Sequence, residues 1–114
     1  MDCLYQYHFR PGYHSQELLI DVFGGAENET FVSDFINAIS EINPEMIDIL
    51  DLWMNDELLM TYDSTIGKFT ISKDIWGFAF IMAENNQEGL IHINSILEKA
   101  ELFEKVEVDF ENYK

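Results

Sequence analysis

Apolar positions along this chain recur with a period of two in most segments and with spacings of three and four in two others. In "LYQYHF" (4–9), Tyr5, Tyr7 and Phe9 fall on one face and Leu4, Gln6 and His8 on the other, which predicts a strand. Pro11-Gly12 marks a turn, and "ELLIDVF" (17–23) reads as a second strand closing an N-terminal hairpin. Gly24-Gly25 breaks that strand. Phe31, Phe35, Ala38, Ile39 and Ile42 then form one helical stripe over 29–42, with Asn28 as the cap that accepts a bond from an exposed N–H of the first turn. Asn43-Pro44 ends the helix, because a residue before proline is pushed out of the helical region.

The stretch "NPEMIDILDLWMNDELLMTYD" (43–63) fits two patterns at its start. Helical spacing lines up Ile47, Leu50 and Met54 and brings Asp48 beside Asp51. Strand spacing instead puts Ile47, Ile49, Asp51 and Trp53 on one face. The β-branched pair, Trp53 and the turn-like Asn55-Asp56 favour a strand over 47–54, a tight turn at 55–56 and a hairpin partner over 57–63. After a turn at 64–67, "KFTISK" (68–73) alternates again. "IWGFAFIMA" (75–83) is apolar on both faces, the pattern of a central strand covered on both sides.

Asn85 as cap and Glu88 reaching back to it start a second helix, whose stripe is Leu90, Ile93, Leu97 and Ala100 and which ends near Glu101. "FEKVEVDF" (103–110) reads as a final strand. The order β-β-α-β-β-β-β-α-β predicts one α+β domain over 1–114, with a mainly antiparallel sheet of about six to seven strands and two helices packed on it.

Composition constrains what this fold can do. Nine Phe, five Tyr and two Trp in 114 residues are ample for a core. The net charge of −16 repels phosphates, so nucleic acid and anionic membranes are not expected as direct ligands, while basic surfaces are attracted. Between Arg10 and Lys68 there are twelve acids and no base, so the charge is lopsided along the chain. With Cys3 as the sole cysteine, no intramolecular disulfide can form. The N-terminus shows no basic segment followed by a long apolar run, and "IWGFAFIMA" falls far short of the roughly twenty residues that span a bilayer. A cytoplasmic location is expected.

Motifs for chemistry are sparse. Asp48 and Asp51 could approach as a carboxylate pair, but so many acids make such pairs common, and solvated surface acids explain them as well. "DILDLWMNDE" lacks the alternating acids and central Gly of a calcium loop. His8, His14 and His92 sit in no metal-ligand spacing, and His8 reads as a hydrogen-bonded structural residue. There is no phosphate-cradling loop and no nucleophile elbow. No catalytic residue, metal or cofactor is expected.

An interaction surface fits better. Trp53 beside Asp51, Asp56 and Glu57, with Asp48 before and Tyr62 and Asp63 after, combines an acidic field with aromatic contact area. The competing reading makes Trp53 a core residue and leaves the acids to solvent.

A small, acidic α+β domain without an enzymatic motif resembles the immunity proteins of bacterial contact-dependent inhibition and related polymorphic toxin systems. The segment "GKFTISKDIWGFAFIMAENN" (67–86) is similar to stretches in small bacterial proteins of that genomic type. The resemblance covers profile and order of elements, and no functional residue is carried over by it. It implies a non-enzymatic protein whose carboxylates pair with the Lys and Arg of a cognate basic toxin, often a nuclease. The alternatives are a small hydrolase using clustered carboxylates with His8, His14 or His92, and an accessory protein that self-associates into a homo-oligomer.

Overall fold

The computed structural model describes residues 4–11, 17–52, 57–74, 77–83 and 86–106. The period-two segments form the strands β1 (Tyr5–Pro11), β2 (Leu18–Gly24), β3 (Glu45–Leu52), β4 (Glu57–Asp63), β5 (Phe69–Asp74), β6 (Ala79–Met82) and β7 (Phe103–Lys105). The two segments of three-four spacing form the helices α1 (Phe31–Ala38) and α2 (Gln87–Lys99). The class is α+β, and the seven strands form one sheet in the order β3-β4-β5-β6-β2-β1-β7. Every pairing is antiparallel except β1 with β7. Residues 43–63 thus start on the strand alternative, with β3 and β4 paired antiparallel.

Two long connections explain why both helices lie on one face. Following the pairings, β2 runs parallel to β3 and β6 runs parallel to β7, so each link is a crossover that a helix must span. The β2-to-β3 crossover leaves in one direction across the sheet, and the β6-to-β7 crossover leaves an oppositely directed strand the other way. Crossovers of one hand related in this way put their helices on the same side. The buried residues agree: Phe31 and Phe35 of α1 and Leu90, Ile93 and Leu97 of α2 cluster with Tyr5, Tyr7, Ile20, Val22, Met60, Phe69, Ile71 and Ile81 of the strands.

The sheet is not flat. Phe35 meets Phe69 of β5 edge-on at 6.4 Å and Phe103 of β7 at 6.1 Å between ring centroids. Those strands stand four places apart, which in a flat sheet would separate them by roughly 19 Å. The sheet therefore curls around α1. Tyr5 completes the cluster, packing edge-on to Phe31 at 5.3 Å and stacking on Phe103 at 4.9 Å.

Several expected details shift. Helix α1 is shorter than 29–42 and starts after Thr30, with no side-chain cap bond; Asn28 instead lends its carbonyl to the turn, accepting from Phe31 N at 3.0 Å. The segment continues as a 3-10 turn at Ser40–Ile42, which tightens the chain enough to bury both Ile39 and Ile42, and closes on Asn43 at φ 51°. β6 covers only Ala79–Met82; it is central in the sheet, but Phe80 and Met82 on the face away from the helices are half-buried rather than covered. Of the final strand expected at 103–110, residues 103–105 are β7 and 107–110 lie outside the described residues. So do the turns expected at Gly12 and at 55–56.

The cap of α2 is Asn86, not the expected Asn85, which lies outside the described residues, and Glu88 is an exposed acid of the first turn. Asn86 Oδ1 accepts from Gly89 N at 3.2 Å, while Nδ2 donates to Ile66 O at 2.8 Å and Lys68 O at 3.3 Å. One side chain thus caps a helix and holds the β4–β5 turn. The fit needs glycine on both sides: a Cβ at Gly67 (φ 107°) would come within 2.5 Å of the Asn86 amide, and one at Gly89 within 2.3 Å. Replacing Asn86 by Ala should lower stability by about 1–2 kcal/mol. The exposed Asn37→Ala on α1 should stay within about 0.5 kcal/mol, both read from urea unfolding midpoints.

Candidate functional site

β3 is an edge strand whose residues 45–51 are all exposed. A strand covered by helices on one face should bury alternate side chains. Here Met46, Ile47, Ile49 and Leu50 remain 44–53% exposed, because the curl centred on α1 leaves the β3 edge outside it. Covering such half-exposed side chains would gain roughly 1 kcal/mol each.

Register fixes which face each residue occupies. Met46 pairs with Tyr62, Ile49 with Met60 and Asp51 with Leu58, so these lie on the helix side. Glu45 pairs with Asp63, Asp48 with Thr61 and Leu50 with Leu59, on the side away from the helices. Ile47 is the extra residue of a β-bulge between Met46 and Asp48. Beyond the bulge the ladder is regular from Asp48 to Leu52.

The residues singled out in the sequence fall into three groups. Asp48, Asp51 and Asp63 are exposed, but Asp48 and Asp51 point to opposite faces, so a strand cannot make them a catalytic pair. Trp53 and Asp56 lie outside the described residues. Glu57 and Tyr62 are engaged inside the fold: Glu57 accepts a hydrogen bond from Ser72 Oγ, and Tyr62 is 5% exposed and stacked on Phe69 at 5.4 Å with rings 4° apart. Tyr62 is thus a core residue rather than a docking aromatic. Alternation in 57–63 held the signal, because it places Leu58, Met60 and Tyr62 on one face. The apolar surface of this edge comes instead from Met46, Ile47, Ile49 and Leu50, of which strand spacing groups only Ile47 and Ile49 on one face.

The lopsided charge along the chain becomes lopsided in space. Glu45 and Asp63 sit directly opposite each other across the ladder, a repulsive placement. None of Glu45, Asp48, Asp51 and Asp63 makes an ion pair among the described residues. Arg10, Lys99 and Lys105 belong to β1, α2 and β7, at the other end of the sheet order. Lys73 of β5 lies two strands away in the same row as Asp51, but its Nζ is directed to Asn28 O at 3.5 Å and the Phe31 ring at 6.0 Å and makes no ion pair with the β3 acids.

The remaining polar groups have structural work. His8 donates from Nδ1 to Val106 O at 2.8 Å and stacks on Phe23 at 4.2 Å, as expected for a structural histidine. Arg10 clamps Asp21 Oδ2 through Nε at 3.2 Å and Nη2 at 3.0 Å, a buried pair across the β1–β2 hairpin that the sequence reading missed; Arg10 and Asp21 both sit on the His8 side of their strands. Asn94 is buried inside α2 and accepts from Tyr7 OH at 3.1 Å. Glu98 is held below the usual carboxylate range by its hydrogen bond from Lys105. His92 is exposed on α2, and Cys3 and His14 lie outside the described residues.

An open concavity of about 660 Å³ lies on the sheet face away from the helices, lined by Leu59, Thr61, Thr70 and Met82 with Lys68 and Asn86 at its rim. Among the described residues, no group of three or more His, Cys, Asp or Glu is placed to hold a metal ion, and no helix is long and apolar enough to cross a membrane. No protein-family model, curated protein or solved structure matches the chain.

The two buried tyrosines make alkaline stability a test of this geometry. Burial pushes the Tyr62 hydroxyl above its ordinary value of 10.0, and Tyr5 is raised by burial and then by its bond to Asp34. A raised pKa means that the fold favours the neutral form. The contribution is complete below the ordinary value and is lost as pH rises through the raised one. Urea midpoints should therefore fall above about pH 10, and Tyr62→Phe should lessen that fall.

Proposed function

We propose that this chain is a non-enzymatic binding protein, an immunity protein that holds a cognate basic toxin through the acidic edge around β3. The observation that carries the reading is the coincidence, on one uncovered strand, of Met46, Ile47, Ile49 and Leu50 half-exposed with Glu45, Asp48 and Asp51 unpaired among the described residues. A soluble fold would ordinarily mix Lys with acids on such an edge. An uncompensated acidic edge instead speeds encounter with a cationic surface, and the apolar side chains add affinity once water leaves. In the cytoplasm of the producing cell, such contacts would occupy the Lys and Arg with which a nuclease-type toxin grips its substrate. The hydrolase alternative has less support, because Asp48 and Asp51 face opposite sides and His8 is engaged with Val106.

Capture from the native lysate, identification of the bound protein and titration at low and high salt would test the reading. The expected partner is basic, binds more weakly at high salt, and loses roughly tenfold or more in affinity with Asp48→Lys/Asp51→Lys. That variant should fold normally, since both positions are exposed. A partner that is not basic, or affinity indifferent to salt and to the double charge reversal, would overturn the proposal.

A further inference from the structure

The free edge of β3 offers more than charge. In an antiparallel pair alternate residues turn their N–H and C=O groups toward the partner strand, so about four residues of this strand turn theirs away from β4. β3 is at the end of the sheet order, and its regular stretch from Asp48 to Leu52 is uninterrupted by the bulge at Ile47. Natural edges are blunted by charge, Pro, bulges or shortness; β3 has its acids and the bulge at Ile47, but no Lys, and its ladder is regular beyond the bulge. This edge is eight residues long and keeps apolar side chains on both faces.

We infer that β3 accepts an added β-strand from a basic partner, and that the segment "DILD" (48–51) reads a cation–apolar–apolar–cation sequence in it. The inference rests on the proposed binding of a basic protein at this edge. Directly opposed side chains share a face of the sheet, so an incoming strand meets Asp48, Ile49, Leu50 and Asp51 one after another. Lys or Arg opposite each aspartate and aliphatic residues opposite Ile49 and Leu50 satisfy all four positions. Because the acid–apolar–apolar–acid order is the same in both directions, the match holds for a parallel or an antiparallel strand. A second copy of this chain is disfavoured: two-fold antiparallel pairing about Asp48 sets Asp48 against Asp48 and Glu45 against Asp51, and each copy carries a net charge of −16.

The test uses the full chain and short synthetic peptides with the core Lys-Val-Val-Lys, the same composition reordered as Lys-Val-Lys-Val, and Lys-Val-Val-Lys with alternate backbone nitrogens methylated in either phase. Binding is read by titration, and the site by amide hydrogen exchange. The expected result is affinity for Lys-Val-Val-Lys at least about five-fold above the reordered peptide, loss of binding with one phase of methylation, and slowed exchange confined to β3. Asp48→Lys/Asp51→Lys should lose this peptide and gain Glu-Val-Val-Glu. Equal binding of reordered or both methylated peptides, protection mapping elsewhere, or self-association through β3 would overturn the inference. A basic partner that protects another face would sink strand addition and leave the binding reading intact. Pattern-specific peptide binding without any basic protein partner would do the reverse.

Discussion

Phe35 is the contact on which the architecture turns. Its ring meets Phe69 and Phe103 edge-on, and through them it joins strands four places apart in one sheet. Edge-to-face packing sets both distance and angle, which dispersion between aliphatic side chains does less sharply. The curl that follows lets a helix of eight residues serve as cover for much of the sheet. It also gives Tyr5 a place against both Phe31 and Phe103, with its hydroxyl directed to Asp34.

The same curl determines what stays outside. Wrapping around α1 buries β1, β2, β5 and β6 on the helix side, and leaves the far edge as a ledge exposed on both faces. The proposed site is therefore a consequence of core geometry rather than an addition to it. Helix cover and strand exposure come from one constraint, and Glu45, Asp48 and Asp51 fall on the exposed edge without an ion pair among the described residues.

Much of the fold was legible in the sequence because strands and helices differ in period. β4 begins and ends where alternation does, at 57 and 63, and β1, β2 and β5 are displaced by a residue or two. The stripe Leu90, Ile93 and Leu97 is buried as its spacing predicts. Caps were harder to read. Asn85 and Asn86 are equally good caps by type, and the choice falls on Asn86 because its amide also bonds Ile66 and Lys68 from a distant turn. Asp21 and Arg10 were passed over because alternation marks Asp21 only as a polar position, whereas antiparallel pairing of β1 with β2 turns both into a buried ion pair.

The sequence by itself determined the element types, their order, the α+β class and the sign and concentration of charge. These follow from local periodicity, turn residues and counting. Only the tertiary structure decided that β3 is an edge, that its acids divide between two faces, that Tyr62 is buried and that Ile49 and Leu50 are not. Each of those depends on which strands pair across long stretches of chain and on how far the sheet curls. Periodicity says which residues share a face, but it cannot say whether anything covers that face.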